Sequence, residues 1–172
     1  VIESRGLGDV YKRQGDDNLY TRIKTGNHGS WSKTKNAYNG YLSSANSNGD
    51  ILEVDKLWYT TKVGEKHTFT IGPKIENYYM HATAPSIYKP ILKAFTLGGN
   101  GAAYGASTNA GVGWAYNADN GFAVSSNVVS QGANSGGVLN NESKTSWATQ
   151  VGYTQPNYSV SAILNMKYNS WI

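Results

Sequence analysis

Residues 147–168 read WATQVGYTQPNYSVSAILNMKY. Every second residue gives an apolar series: Trp147, Thr149, Val151, Tyr153, then Tyr158, Val160, Ala162, Leu164, Met166 and Tyr168. Between them lie Ala148, Gln150, Gly152, Thr154, then Ser159, Ser161, Ile163, Asn165 and Lys167. Such alternation marks a strand, because successive side chains point to opposite faces. Pro156-Asn157 suits a reversal, since proline cannot sit inside a central strand. A loop at 154–157 predicts Tyr153 opposite Tyr158, Val151 opposite Val160, Thr149 opposite Ala162 and Trp147 opposite Leu164. Both apolar series then share one face. That face carries rings at its ends and small aliphatic side chains between, as a lipid-facing strand does when its rings favour the two interfaces. The stretch is expected to be a transmembrane β-hairpin.

Working outward, the same alternation recurs. Tyr104, Ala106, Thr108, Ala110, Val112, Trp114 and Tyr116 face one way. After a reversal at 117–121, Phe122, Val124, Ser126 and Val128 are expected opposite Tyr116, Trp114, Val112 and Ala110. Leu57, Tyr59 and Thr61 alternate with Lys56, Trp58, Thr60 and Lys62, and a three-residue loop at 63–65 predicts Tyr59 beside Phe69 and Leu57 beside Ile71. Leu19, Thr21 and Ile23 begin the series. Short reversals near 64, 119 and 156 alternate with long polar connections at 26–50, 75–101 and 131–146. A short β segment at 37–42 and a helical turn at 91–95 are expected within these. Segregated loop lengths are a property of outer-membrane barrels. The fold class is therefore all-β, an antiparallel transmembrane β-barrel, here an open piece of about seven strands.

Residues 1–14, VIESRGLGDVYKRQ, are charged and non-periodic and have no signal-peptide pattern. They are set aside as a foreign or disordered leader, with the barrel over 15–172. Composition agrees with many reversals: 172 residues hold 20 Gly, 13 Tyr and no Cys. No apolar run approaches the ~18 residues of a membrane helix. Three His without paired spacing give no metal motif. No cofactor and no metal are expected. No nucleophile–base arrangement or carboxylate pair on a common face suggests an enzyme. The net charge is +4, yet no nucleic-acid motif accompanies it, and no nucleic-acid partner is expected.

The placement of the charges says more. Arg22, Lys24, Lys56, Lys62, Lys66, Lys74 and Lys167 all fall on the polar face, where a lipid contact would not penalise them. Glu53 and Asp55 break the pattern and are expected above the membrane band. A face of Gly, Ser, Thr, Asn and Gln cannot fill a dry core, and water is its simplest partner. That face is expected to line a lumen with one positive wall favouring anions. Trp58 and Tyr20 lie on it, either stacking on solute or packing against neighbours. His67 falls on the apolar face at headgroup level. Segment 75–101 is a candidate constriction, with Glu76, His81, Lys89 and Lys93 toward solute, or else an outward cap. The aromatic girdle comprises Tyr104, Trp114, Tyr116, Phe122, Trp147, Tyr153, Tyr158 and Tyr168.

GDDNLYTRIKTGN at 15–27, LEVDKLWYTTKVGEKHTFTIGPKI at 52–75, AFTLGGNGAAYG at 94–105 and GVGWAYNADNGFAVSSNVVS at 111–130 together resemble the carbohydrate-selective (OprB-type) porins, their cyanobacterial branch above all. The resemblance implies a water-filled outer-membrane channel for small solutes. It also implies a surface-layer-homology segment upstream and a barrel of about twice this strand count. The last strand runs outward to Trp171-Ile172, so an internal piece is expected. Expected partners are outer-membrane lipid and small hydrophilic solutes, with a homotrimer as candidate assembly and cell-wall contact only through the upstream segment. A channel specific for an inorganic nutrient and a soluble β-sandwich or lectin-like module are the competing functions.

Overall fold

The computed structural model describes residues 7–12, 17–26, 49–83, 108–132, 138, 140 and 143–168. They form eight strands: β1 (Leu7–Lys12), β2 (Asn18–Gly26), β3 (Gly49–Val63), β4 (His67–Glu76), β5 (Thr108–Asn117), β6 (Phe122–Gln131), β7 (Lys144–Gln155) and β8 (Tyr158–Lys167). Each pairs antiparallel with the next in a single open sheet, with β1 and β8 at its edges. One turn of 3-10 helix, Asn77–Met80, follows β4. The fold is all-β, and β2 to β8 are the seven strands that the alternation predicts. β1 is an addition. It lies within the residues set aside as a leader, yet pairs from Leu7↔Ile23 to Lys12↔Asn18 without interruption. An unpaired strand edge templates any extended segment that reaches it, and backbone pairing needs no apolar pattern. Leu7–Lys12, inside the segment set aside as a foreign or disordered leader, thus forms an edge strand of the sheet. The proposed strand at 37–42, the helical turn at 91–95 and Tyr104 lie outside the described residues.

All three predicted hairpins keep their faces and shift their partners. Tyr153 pairs with Val160, Val151 with Ala162, Thr149 with Leu164 and Trp147 with Met166, around a turn flanked by Gln155↔Tyr158. Tyr116 pairs with Val124, Trp114 with Ser126, Val112 with Val128 and Ala110 with Ser130. Val63 pairs with His67, Thr61 with Phe69 and Tyr59 with Ile71, which puts the loop at 64–66. Each register is displaced by two residues from the expected one. A two-residue slip leaves every side chain on its face, so alternation cannot tell the two registers apart; turn length decides.

The two faces are inverted relative to a soluble sheet. The apolar face is open: Val160 is 66% exposed, Leu164 62%, Ile71 60% and Val112 50%. The polar face is covered over β6 and β7, with Ser125 0% and Gln150 1% exposed. What covers it is the chain after β4, which folds back over β5, β6 and β7. A small core forms beneath that segment from Trp58, Ile75, Met80 and Val129, with Tyr20 against it. Part of the face expected to be wet is therefore dry, and Ser125 and Gln150 find protein partners there, as burial favours, while Asn127 Oδ1 has none.

Candidate functional site

The site begins with an irregularity in β3. Arg22 pairs with Lys56 and Ile23 with Val54, which leaves Asp55 as the extra residue of a β-bulge. The bulge turns its side chain to the polar face, among the cations. The Asp55 carboxylate lies 2.6 Å from Arg22 Nε, 3.2 Å from Lys24 Nζ and 3.6 Å from Lys56 Nζ. Glu76, at the end of β4, lies 3.4 Å from Arg22 Nη2 and 3.3 Å from Lys56 Nζ. The five side chains are between 8% and 18% exposed, so water screens these contacts less than it screens surface pairs. Two expectations change. Asp55 joins the polar-face cations instead of standing apart from them, and the group is a mixed network rather than a purely positive one. Three cations face two carboxylates, leaving one net positive charge.

Beside this network stands an aromatic cluster. Tyr20 stacks on Trp58 with centroids 4.1 Å apart and planes 16° apart. Trp58 lies 4.9 Å from Tyr79, which is 4.7 Å from Tyr78. Ring pairs of this kind contribute about 0.5–1.5 kcal/mol beyond the area they bury. Trp58, 6% exposed, packs against its neighbours, the second of its two expected roles. Tyr79 keeps one side open at 48%. The Tyr78 hydroxyl donates to the Glu76 carboxylate. Burial, reinforced by that carboxylate, pushes the Tyr78 phenol well above the ordinary tyrosine range.

Segment 77–83 crosses the polar face as a strap. The Ala82 N–H donates to Ser125 Oγ at 3.0 Å. The Gln150 amide takes both sides of Thr83, accepting from its N–H at 3.0 Å and donating to its carbonyl at 2.9 Å. Asn127 Nδ2 lies 3.2 Å from His81 Nδ1. Glycines make the seat. A Cβ on Gly113 would lie 2.6 Å from Met80 Sδ, and one on Gly152 2.7 Å from Thr83 Cβ. Between strap and wall, toward the short turns, is a recess of about 170 Å³ lined by Thr60, Thr68, Thr70, Tyr79, His81 and Asn117 among others. Among the described residues, no Asp, Glu, Lys or Arg lines it. A charged patch thus borders the strap on the long-loop side and a neutral hydroxyl recess on the other.

Of the residues predicted to line a lumen, Arg22, Lys24, Lys56 and Trp58 come together in this site. Lys62 is exposed at the turn end of β3, opposite Thr68. Lys66 lies in the β3–β4 turn, where Asp119 of the β5–β6 turn holds it at 2.7 Å and raises its pKa through that hydrogen bond. Lys74 changes face. A bulge between Gly72 and Ile75 sets Lys74 opposite Leu57, on the apolar side, where its ammonium donates to the Val54 carbonyl at 2.8 Å. Pro73, which has no N–H for the ladder, sits in that bulge. Of the candidate constriction residues, Glu76 and His81 lie at the root and middle of the strap, whose described part rests on the polar face. Lys89 and Lys93 are outside the described residues.

The girdle residues divide between two levels of the apolar face. Trp114, Tyr116, Phe122, Tyr153 and Tyr158 stand near the short turns, and Trp147 and Tyr168 near the other end. His67 joins the first group: Trp114 Nε1–H donates to His67 Nδ1 at 3.0 Å, and Tyr116 lies 5.1 Å away. Trp147 Nε1–H donates to Ser126 Oγ at 3.0 Å. No family model, curated protein or solved structure matches this chain.

Sequence reasoning missed Asp55, Tyr78, Tyr79, Ser125, Gln150 and the glycine seat. Gln150 and Gly152 stand on the polar face, as predicted, but nothing in their spacing announces a segment that is about 70 residues away in the chain and docks on them. Pro73, inside an otherwise alternating strand, was the one signal of the second bulge.

Proposed function

We propose that this chain supplies the wall of an outer-membrane β-barrel channel through which small hydrophilic solutes diffuse. The observation that carries the reading is the inversion of the sheet. Large apolar side chains stand open on all seven strands from β2 to β8, aliphatic on six of them and Phe122 on β6, while most hydroxyls, amides and paired charges lie on the other face. Contiguous apolar surface on that scale marks a membrane or a partner, and a strand sheet crosses lipid with this sorting of faces. The 10 residues of β8 span about 33 Å at ~3.3 Å per residue. Tilted by ~45°, that is about 23 Å, close to the ~25 Å apolar band of such barrels. Aromatic rings at both ends of the band add to the reading, as does the similarity to carbohydrate-selective porins. Among the described residues, Lys74 and Asp17 are charged groups on the apolar side; Asp17, at the short-turn end, accepts the hydroxyls of Tyr59 and Thr61, and Lys74 is the other. It stands toward the end of β4, where a cation near the interface costs only ~0–1 kcal/mol.

In this reading the strap narrows the passage. Glu76 and Tyr79 border the opening on its charged side, and the hydroxyl recess follows it. Solutes pass by diffusion, discriminated by size and charge.

Paired substitutions test the assignment of faces. Val160→Arg should block membrane assembly, because a midplane Arg in lipid costs ~2–4 kcal/mol. Ser161→Arg should leave assembly intact and change single-channel conductance. The reverse outcome would mean that the faces are swapped. A chain that stays in solution without detergent, with no heat-modifiable gel mobility, would favour a β-sandwich in which a second sheet covers the apolar face.

A further inference from the structure

We infer that Asp55 is the residue that sets the charge preference of the passage; this rests on the channel reading. The sequence alone suggests a strongly positive wall, because Arg22, Lys24 and Lys56 fall on one face of adjacent strands. The bulge changes the sum. It inserts one carboxylate within 3.6 Å of all three cations, where a regular strand would carry Asp55 to the opposite face. Glu76 supplies a second carboxylate to Arg22 and Lys56, but it also accepts the Tyr78 hydroxyl and forms the root of the strap. Replacing Glu76 would therefore move the constriction as well as the charge. Asp55 stands in the wall itself, so its charge is separable from the strap's position.

A unit charge a few ångströms from a permeating ion changes that ion's local concentration severalfold. Salt screens the effect beyond about 8–10 Å, so only charges in the narrow part count. With one net positive charge the wall should prefer anions weakly. Asp55→Asn raises the net charge to two and Lys24→Gln lowers it to zero, from adjacent positions in one network.

The test is the reversal potential of the full-length protein containing this chain, reconstituted in planar bilayers under a potassium chloride gradient. The chloride-to-potassium permeability ratio should rise about threefold or more for Asp55→Asn. It should fall by a similar factor for Lys24→Gln. The double variant Asp55→Asn/Lys24→Gln should return to the wild-type ratio, and Asp119→Asn, in the short turn with Lys66, should leave it unchanged. A ratio that stays put in Asp55→Asn, or moves toward potassium, overturns the inference. So does a Lys24→Gln variant that keeps the wild-type ratio, and this arm decides the matter should Asp55→Asn fail to insert. The two readings fail differently. A wild-type full-length protein that never conducts removes the channel and this inference together. A chain that conducts with an unmoved ratio removes the inference alone.

Discussion

At Gln150 one amide satisfies both backbone groups of Thr83, in a place where water has no access. Gln150 is 1% exposed and Thr83 3%. A buried donor or acceptor left without a partner costs about 1–3 kcal/mol. Gln150→Leu should therefore release the strap: hydrogen exchange of the amides in 77–83 should accelerate by about 10–100-fold, while exchange in β7 and β8 stays slow. Unchanged protection at 83 would mean that the strap is held elsewhere. Tyr78 gives a second residue-scale expectation. Its pKa is raised in the folded chain, first by burial and then by Glu76, so the stabilisation is complete below the ordinary tyrosine value of about 10 and is lost as pH rises above it. Exchange at 77–83 should accelerate above about pH 10 in the wild type, beyond the intrinsic base dependence, and Tyr78→Phe should abolish that alkaline phase. An identical alkaline response in Tyr78→Phe would place the titrating group elsewhere. None of this was readable from the chain, because the partners of Tyr78 and Gln150 come from other elements.

At the scale of the element, the hairpins show what a sequence pattern can and cannot specify. Alternation of Val151, Tyr153, Val160 and Ala162 fixes which face each side chain takes, since a one-residue slip would turn all of them over. It is silent on slips of two. The observed β7–β8 register follows from the short turn at Pro156-Asn157, flanked by Gln155↔Tyr158, where four loop residues were expected. Cysteines at 151 and 162 should form a disulfide under mild oxidation, since directly opposed Cβ atoms lie ~4.5–5.5 Å apart. Cysteines at 151 and 160 should not; efficient closure of that second pair would restore the four-residue loop. Bulges escape the pattern for another reason. One extra residue at Asp55 turns a side chain over without any change in composition, so a carboxylate that looked misplaced becomes the centre of the site.

For the molecule as a whole, the sheet is built as the reverse of a soluble one, and that much was legible. The open face is the series headed by Val160 and Leu164, and the covered face is the one containing Ser125 and Gln150. What the chain did not disclose is that its own segment 77–83 supplies the cover, because docking at that sequence separation leaves no periodic trace. The account stands on the direction of the two faces, and β8 reports it best. It is an edge strand whose other face carries Ser159, Ser161, Ile163 and Asn165, so both series are open to a probe. The direct measurement is a scan of single spin labels at 159–166 in the chain reconstituted into lipid vesicles, read with oxygen as the lipid-soluble quencher and a nickel chelate as the aqueous one. The account predicts a period of two, with Val160, Ala162, Leu164 and Met166 favouring oxygen and Ser159, Ser161, Ile163 and Asn165 favouring the chelate. Uniform access of the chelate to all eight positions, or the same alternation with the two sets exchanged, would contradict it.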